Sequence, residues 1–347
     1  MEDFFIYSGS IHIHSILSDG SASIEEISQI ASDLGMDYII IADHNTLAGK
    51  DRGYEKRIGK THVLIGYELN DPDDENYNHY LAFGLDHILP LDLKPAEFVA
   101  KVKENGGVGF IAHPDERREG LIKDFPGNPW IDWTIDDFDG IEIWNQMSEW
   151  MERLNIFNLL WMTISPRKGI YKPFDITLKR WDTFNLKRKI AGIGGIDVHA
   201  MKIKIGPFVK TFFPYKVQFK SIRTNIILRE RLSDDFEVAK WQIYNALKNA
   251  NSYIYNYRWG DITSLVFYAS NENEIFIPGD ETFLAENMYL NIVLPEKLFI
   301  KIVKNGNIIF KDKVQEYKLK IMQEGNYRLE VYKKKHGWIF TNNIYVR

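Results

Sequence analysis

The sequence predicts an α/β domain followed by a small all-β domain. From the start to about residue 113, short apolar runs alternate with helix-like segments, as in a β/α repeat with parallel strands. From about residue 262 onward, strand-length segments are separated by turn signals such as Pro278-Gly279 and Asn305-Gly306. A chain of 347 residues is also long for one ordinary core. We therefore expect one domain over residues 1–260 and a second over residues 261–347.

The elements of the first domain follow from local signals. After a strand at residues 7–12, Ser23 and Glu26 form a capping box that begins a helix, and Gly35 ends it. Further strands are predicted at residues 38–42, 62–65, 80–83, 108–112, 140–144 and 190–193, and further helices at 96–105, 150–162 and 236–249. These strands suffice for a barrel. In the second domain, strands at 289–293, 298–303 and 327–332 indicate a small β-sandwich.

Composition narrows the classes of function. The net charge of -5 gives no basic field for a nucleic-acid backbone, which favours a small substrate. The chain has no cysteine, so thiolate catalysis, disulfides and cysteine-bound zinc are excluded. No stretch reaches the roughly 18 apolar residues that span a bilayer, so we expect no membrane partner and a cytoplasmic location.

Histidines and carboxylates cluster at the predicted strand ends. In His12-Ile13-His14, side-chain alternation along a strand would point both imidazoles the same way, about 6 to 7 Å apart. Asp197-Val198-His199 repeats this spacing after another apolar strand. Asp43-His44, Glu68 and His113-Pro114 follow three further strands. A lone histidine is usually structural, but so many groups at one end of a β/α fold predict a metal site.

Together these motifs resemble those of the PHP (polymerase and histidinol phosphatase) superfamily of metal-dependent phosphoesterases. The similarity covers about residues 6 to 260 and rests on six short motifs in order: His12-x-His14, Ser18-Asp19-Gly20, Ala42-Asp43-His44, Gly66-x-Glu68, Ala112-His113-Pro114 and Gly195-x-Asp197-x-His199. The set is specific, although each motif alone is weak. The resemblance implies a distorted (β/α)7 barrel of the TIM-like kind that holds two to three divalent metal ions.

Carried over motif by motif, the resemblance also implies a ligand set. A first metal would be bound by His12, His14, Glu68 and Asp197. A second would share Glu68 and use His113 and His79, and a third would use Asp19, His44 and His199. Asp43 precedes His44 and would face the opposite side of a continuing strand, so we expect it to be an orienting or a structural group rather than a ligand. Imidazole and carboxylate ligands suit Zn, Mn or Fe.

The expected activity is hydrolysis of a small phosphomonoester or phosphodiester. A metal-bound hydroxide held by Glu68, Asp197 and His113 would attack phosphorus, so no protein nucleophile is required. Arg117 and Arg118 are weak candidates for binding the phosphate, because a solvated surface pair explains them better. Trp144-Asn145, at a strand end, is a candidate for lining the pocket.

Two alternatives remain open at the level of sequence. One is a PHP-type 3′–5′ exonuclease on single-stranded nucleic acid, which would need a basic binding channel. The other is a binding or scaffold protein with a degenerate barrel, against which the near-complete ligand set argues. The exact substrate, the oligomeric state and the role of the C-terminal domain are not specified by the sequence.

Overall fold

The computed structural model describes residues 4–117, 127–205 and 208–347. The strands of the N-terminal part are β1 (Phe5–Ile13), β2 (Tyr38–His44), β3 (Lys56–Ile58), β4 (Thr61–Leu69), β5 (Tyr80–Phe83), β6 (Val108–Ile111), β7 (Gly140–Asn145), β8 (Ala191–Gly195), β9 (Lys202–Ile205), β10 (Phe208–Thr211), β11 (Ile222–Leu228) and β12 (Ser252–Asn256). The helices are α1 (Ile24–Asp33), α2 (Ala48–Asp51), α3 (Pro95–Glu104), α4 (Gln146–Arg153), α5 (Leu159–Ile164), α6 (Asp175–Asn185), α7 (Tyr215–Gln218) and α8 (Phe236–Lys248).

A mixed sheet forms the centre of the N-terminal part. β1, β2 and β4 lie side by side in parallel, and β6, β7 and β8 form a second parallel group. β5 joins the two groups, because it pairs antiparallel with both β4 and β6. β11 and β12 continue the sheet from β1 in the antiparallel sense.

The prediction of a β/α repeat with parallel strands up to residue 113 was wrong at β5, and β3, a strand that the sequence did not predict, is also antiparallel to its neighbour. A parallel connection needs a crossover of about a dozen residues or more, usually a helix. Residues 70–79, which join β4 to β5, contain no helix, and β3 turns directly into β4 at Gly59, where φ is +59°. These short connections return each strand antiparallel to its neighbour.

The segment after β8 returns to β1. The Ile196 N–H donates to the Ile11 carbonyl at 3.1 Å, and the His14 N–H donates to the Val198 carbonyl at 3.1 Å. Ile13 and Val198 form a parallel bridge between the same segments. The first and the last of the predicted metal-binding motifs are therefore held side by side. Closure into a seven-stranded barrel stays a prediction.

The helices pack on the sheet as their apolar patterns predict. α1 begins with the predicted capping box, in which the Ser23 hydroxyl accepts from the Glu26 N–H at 3.2 Å, and the helix buries Ile27 and Ala31. α3 and α8 lie within one or two residues of their predicted bounds. Tyr244 of α8 stacks on Phe83 of β5, with ring centroids 6.0 Å apart.

The single helix predicted over residues 150–162 was wrong. α4 begins earlier and gives way at Leu154 to extended backbone, with ψ at 130°, and α5 forms only after a turn. In that turn the Asn155 side chain accepts from the N–H groups of Phe157 and Asn158 at 3.0 and 3.1 Å. Asparagine side chains compete in this way with helical hydrogen bonds. The turn changes the direction of the chain, so that α4 and α5 both face the same cavity.

Residues 262–347 form strands and turns without a helix. The strands are β13 (Val266–Ser270), β14 (Ile275–Phe276), β15 (Glu281–Thr282), β16 (Tyr289–Lys304), β17 (Asn307–Lys320), β18 (Gly325–Lys333), β19 (His336–Thr341) and β20 (Ile344–Val346). β16 and β17 form a long hairpin whose turn, Asn305-Gly306, has positive φ at both residues, as its sequence predicts. β16 also runs through the two strands predicted at 289–293 and 298–303, with irregular pairing between Val293 and Leu298.

The C-terminal strands are hydrogen bonded to the N-terminal sheet. β19 pairs antiparallel with β12, and the buried side chain of Asn342 both accepts from the Gly192 N–H at 2.7 Å and donates to the Gly192 carbonyl at 2.9 Å. Arg328 of β18 pairs with Asp182 of α6 at 2.9 Å. The domain boundary near residue 260 and the sandwich arrangement stay predictions. Among the described residues, the helices are all too short or too polar to cross a bilayer.

Candidate metal centre

His12 and His14 reach the site through a β-bulge at the end of β1. The pairing of β1 with β2 shifts register between Ile11 and Ile13, so His12 is an extra residue, and its φ is +66°. The two imidazole rings lie with centroids 5.1 Å apart. The two rings lie together as the sequence predicted, but the cause is a bulge and not the regular alternation of side chains along a strand. Bulges and strained backbone angles of this kind are frequent beside functional sites.

Four more predicted ligands lie at the same edge of the sheet. His44 is the last residue of β2 and pairs with Glu68 of the neighbouring strand β4. Because β5 is antiparallel, it begins where β4 ends, which places His79 beside Glu68. β6 ends beside the start of β5, so His113 follows at this edge too. The strand β5 was predicted, but its antiparallel direction, which positions His79, was not.

The buried carboxylate of Glu68 lies at the centre of the cluster. Its Oε1 is 2.7 Å from His79 Nδ1 and 3.0 Å from His113 Nε2. Its Oε2 is 3.0 Å from His12 Nε2, 3.4 Å from His14 Nε2 and 3.5 Å from His44 Nδ1. Burial alone would raise the pKa of Glu68, but the surrounding imidazoles lower it well below the ordinary value. Glu68 therefore stays ionised, with its two oxygens facing two different groups of histidines.

Asp197, His199 and Asp19 complete the cluster. Asp197, with φ at +50°, places Oδ1 3.3 Å from His14 Nε2 and 3.5 Å from His12 Nε2. His199 Nε2 lies 3.1 Å from Oδ2 of the half-exposed Asp19, and His44 Nε2 lies 3.7 Å from the same oxygen. The structure thus brings together all nine residues that the sequence proposed as ligands. Their role in binding metal stays a prediction.

The donor set fits divalent cations. Within the described part of the chain, four overlapping groups each have donor atoms within 4.8 Å of one another: His14, Asp19, His44 and His199; His12, His113 and Asp197; His12, His14 and Glu68; and His44, Glu68 and His79. Both ring nitrogens of the fully buried His14 lack a hydrogen-bond partner. Burial, with His199 nearby, lowers the pKa of His14 to about 4, so its ring is neutral. A buried, neutral imidazole without a hydrogen-bond partner has a lone pair free for a cation, so His14 fits the donor that a metal site requires.

Several rings are anchored outside the cluster, which fixes the nitrogen that faces it. His113 Nδ1 contacts the Asn128 carbonyl at 3.0 Å, His79 Nε2 contacts the Glu75 carbonyl at 2.8 Å, and His199 Nδ1 contacts the Asp197 carbonyl at 3.1 Å. A carbonyl can only accept, so each of these nitrogens carries the hydrogen. The opposite nitrogen of each ring faces a carboxylate oxygen, Glu68 for His79 and His113 and Asp19 for His199, which is the side from which a metal ion would be bound.

Sequence reasoning missed Glu142, a buried carboxylate of β7. Its Oε1 lies 3.0 Å from His12 Nδ1, while Oε2 accepts from the His113 N–H at 2.8 Å and the Asn145 amide at 2.9 Å. Together with Glu68, Glu142 raises the pKa of His12 well above the ordinary value against the opposing effect of burial. The signal that the sequence offered for Glu142 was a charged residue inside the apolar run Gly140–Asn145.

Asp43 holds the loop that carries Asp19. Its carboxylate accepts from the Ser15 N–H and hydroxyl, both at 2.6 Å, and from the Ser18 hydroxyl at 2.7 Å. Asp43 is not within the four groups of candidate ligands. This placement agrees with the orienting role that the sequence predicted for it.

A cavity of about 380 Å³ opens onto the cluster. Of the two arginines proposed to bind phosphate, Arg117 is exposed and does not line the cavity, and Arg118 lies outside the described residues. Trp144 does not line it either, because its buried ring donates to Glu149 at 2.8 Å. Trp150 lines the cavity instead.

The fold and the donor set define an α/β protein with a histidine- and carboxylate-rich centre that could hold several metal ions. The family model of the PHP domain matches residues 10–111. An uncharacterized protein of Methanocaldococcus jannaschii, MJ1587, is 31% identical over 128 residues, which are 35% of this chain and 68% of that protein. The chain belongs to the PHP domain family.

A solved structure shares the fold over nearly the whole chain. It is a two-domain protein from Bacteroides vulgatus, described as containing a predicted PHP-like metal-dependent phosphoesterase. The TM-score is 0.50 at 15% identity, and the match covers 98% of this chain and 95% of that protein. This likeness concerns the fold, and it includes the C-terminal strands.

Proposed function

We propose that the protein is a metal-dependent phosphoesterase that hydrolyses a small phosphomonoester or phosphodiester at a centre of two to three divalent ions. The observation that carries the proposal is the buried His14, whose two ring nitrogens lack a hydrogen-bond partner while Glu68, Asp197 and Asp19 surround it. The cavity of about 380 Å³ beside this cluster suits a small molecule.

The ligand division expected from the family is kept in this proposal. His12, His14, Glu68 and Asp197 would hold one ion, Glu68, His79 and His113 a second, and Asp19, His44 and His199 a third. Glu68 suits the shared position, because Oε1 faces His79 and His113 while Oε2 faces His12 and His14. This mixture of imidazole and carboxylate donors suits Zn, Mn or Fe.

Ions held there would supply positive charge to the phosphate oxygens and lower the pKa of water from about 15.7 toward about 7. The chain's own residues orient the donors. Glu142 fixes His12 through Nδ1, and the Asn128 carbonyl fixes His113 through Nδ1. Hydrolysis would transfer the phosphoryl group to water and break one ester P–O bond, without a covalent enzyme intermediate. A monoester would release an alcohol and phosphate, and a diester an alcohol and a phosphomonoester.

The test compares two histidine substitutions in the full chain. H14Q removes a central candidate ligand, whereas H62Q changes a buried histidine at the opposite end of β4, which contacts the Asp37 carbonyl at 3.2 Å. After loading with Mn²⁺, Zn²⁺ or Fe²⁺, each protein is assayed on phosphomonoesters, phosphodiesters and a single-stranded oligonucleotide. We expect H14Q to lower turnover by more than about 100-fold, because loss of a residue that only supports a ligand already costs about 10- to 100-fold. H62Q should keep the wild-type turnover.

Absence of turnover on every ester by a wild-type protein that has bound its metals would overturn the proposal. Equal loss in both variants would also count against it, because the loss would then reflect folding. Turnover of the oligonucleotide alone would replace the small-molecule proposal by the exonuclease alternative.

A further inference from the structure

The wall of the cavity that faces the candidate metal centre is apolar. Its main side chains come from α4, α5 and the segments beside them: Met147, Trp150, Met151, Leu154, Leu159 and Phe213. Outside the candidate ligands, Asn128 and Thr163 are the polar residues among the described lining. One side of this cavity is therefore rich in charge, and the opposite side offers few hydrogen-bonding groups.

The apolar wall is packed in advance. Trp150 and Phe213 meet edge to face with ring centroids 4.5 Å apart, and both are at least 94% buried. Leu154 is 2% exposed and Met147 6% exposed, so the wall is supported from behind. Methionine side chains in such a wall adapt to the shape of a bound apolar group. A preformed apolar wall beside polar anchoring groups is the usual composition of a small-molecule site.

We infer that the substrate is a phosphate ester whose alcohol part is apolar, an alkyl or aryl group that lies on Trp150, Leu154 and Phe213, while the phosphate would be bound by the ions that Glu68 and Asp197 hold. This inference rests on the proposed phosphoesterase function. A water-sized group occupies about 30 Å³, so a cavity of about 380 Å³ holds a phosphate and at least about six carbon atoms.

The same wall disfavours sugar phosphates and nucleotides. Each sugar hydroxyl or base edge that enters an apolar pocket loses its water partners, and unpaired polar groups are costly when buried. Among the described lining residues outside the candidate ligands, Thr163 and Asn128 offer too few partners for a sugar ring with several hydroxyls. An alkyl or aryl group has no hydrogen bonds to water to lose, and its transfer from water to the apolar wall is favourable.

The test uses esters that differ only in chain length. Ethyl, butyl and hexyl phosphate have leaving alcohols of nearly equal acidity, so differences in kcat/KM report on binding of the chain. With the Mn²⁺-loaded full chain we expect kcat/KM to rise about fourfold for each added methylene until the cavity is filled. Glycerol phosphate and ribose 5-phosphate, with polar alcohol parts of similar size, should lie below butyl phosphate.

Two neighbouring leucines of α5 offer a matched control. Leu159 lines the cavity, whereas Leu160 is 75% exposed and does not line it. L159Q should flatten the dependence on chain length, and L160Q should leave it as in the wild type. M151Q provides a second change in the wall, on α4, should L159Q prove poorly folded.

Binding of n-alkylphosphonates, which cannot be hydrolysed, separates this inference from the proposed function. Calorimetry on the Mn²⁺-loaded protein should show Kd falling with chain length, even in the absence of turnover. Chain-length-dependent binding without turnover would support the apolar subsite and contradict the phosphoesterase proposal. Turnover with a flat chain-length profile, or a preference for nucleoside monophosphates over hexyl phosphate, would overturn the inference while leaving the phosphoesterase proposal standing.

Discussion

Replacing Glu142 by glutamine should weaken metal binding without unfolding the protein. Glu142 is buried and accepts three hydrogen bonds between 2.8 and 3.0 Å, from His12, His113 and Asn145. The glutamine amide keeps the shape but has one acceptor oxygen instead of two, so at least one donor loses its partner. It also removes the negative charge that makes His12 a better donor to a cation.

The expected magnitude follows from the position of Glu142 behind a candidate ligand. Partners of this kind are worth about 10- to 100-fold in metal affinity. That range corresponds to about 1.4 to 2.7 kcal/mol of binding free energy. We expect E142Q to lower the affinity for Mn²⁺ or Zn²⁺ by this factor, measured by competition with a chromophoric chelator at neutral pH.

Glu149 offers a control of the same chemistry. It is equally buried and accepts from Trp144 at 2.8 Å, Arg153 at 2.8 Å and the Tyr171 N–H at 2.9 Å, but it contacts no candidate ligand in the described structure. E149Q should lower the free energy of unfolding and leave metal affinity within about twofold of the wild type. A folded E142Q protein with wild-type affinity, or equal losses in both variants, would refute the reasoning.

Three further predictions concern stability. Mn²⁺ at about 100 times its Kd should stabilise the metal-free protein by about 2.7 kcal/mol, seen as a rise in Tm that a chelator reverses; no shift at saturation would contradict a native-state metal site. Arg328 lowers the pKa of buried Glu330 despite the opposing effect of burial, so this carboxylate stabilises the fold above pH 4.5 and loses its contribution as the pH falls below 4.5. Urea unfolding at pH 6 and pH 3.5 should therefore show a smaller difference in unfolding free energy between wild type and E330Q at the lower pH. A constant difference would contradict this. N342A leaves the buried N–H and carbonyl of Gly192 without their partner, so it should cost about 2 to 4 kcal/mol of unfolding free energy, and a loss below about 1 kcal/mol would show that the contact is dispensable.

The positions of the candidate ligands could be predicted because they follow strands. The motifs His12-x-His14 and Asp197-x-His199 end apolar runs, and ends of neighbouring strands meet at one edge of a sheet. The backbone that achieves this meeting could not be predicted. The bulge at His12 and the antiparallel β5 beside His79 depend on pairing partners far along the chain.

The surroundings of the cluster were harder to foresee. Glu142 was visible as a charge within an apolar strand, but its partners His12 and His113 are distant in sequence. The apolar wall depends on the turn at Asn155, which breaks the predicted helix and aims both halves at the cavity. Local propensity favours a continuous helix there, and a side-chain hydrogen bond decides otherwise.

Elemental analysis of the purified full chain tests the central claim most directly. The protein, expressed with Zn, Mn and Fe available and freed of loosely bound ions, should retain two to three equivalents of these metals per chain, and H14Q should retain fewer. Fewer than two equivalents in the wild type, or an H14Q variant with unchanged metal content, would contradict the assignment of this cluster as a multinuclear metal centre.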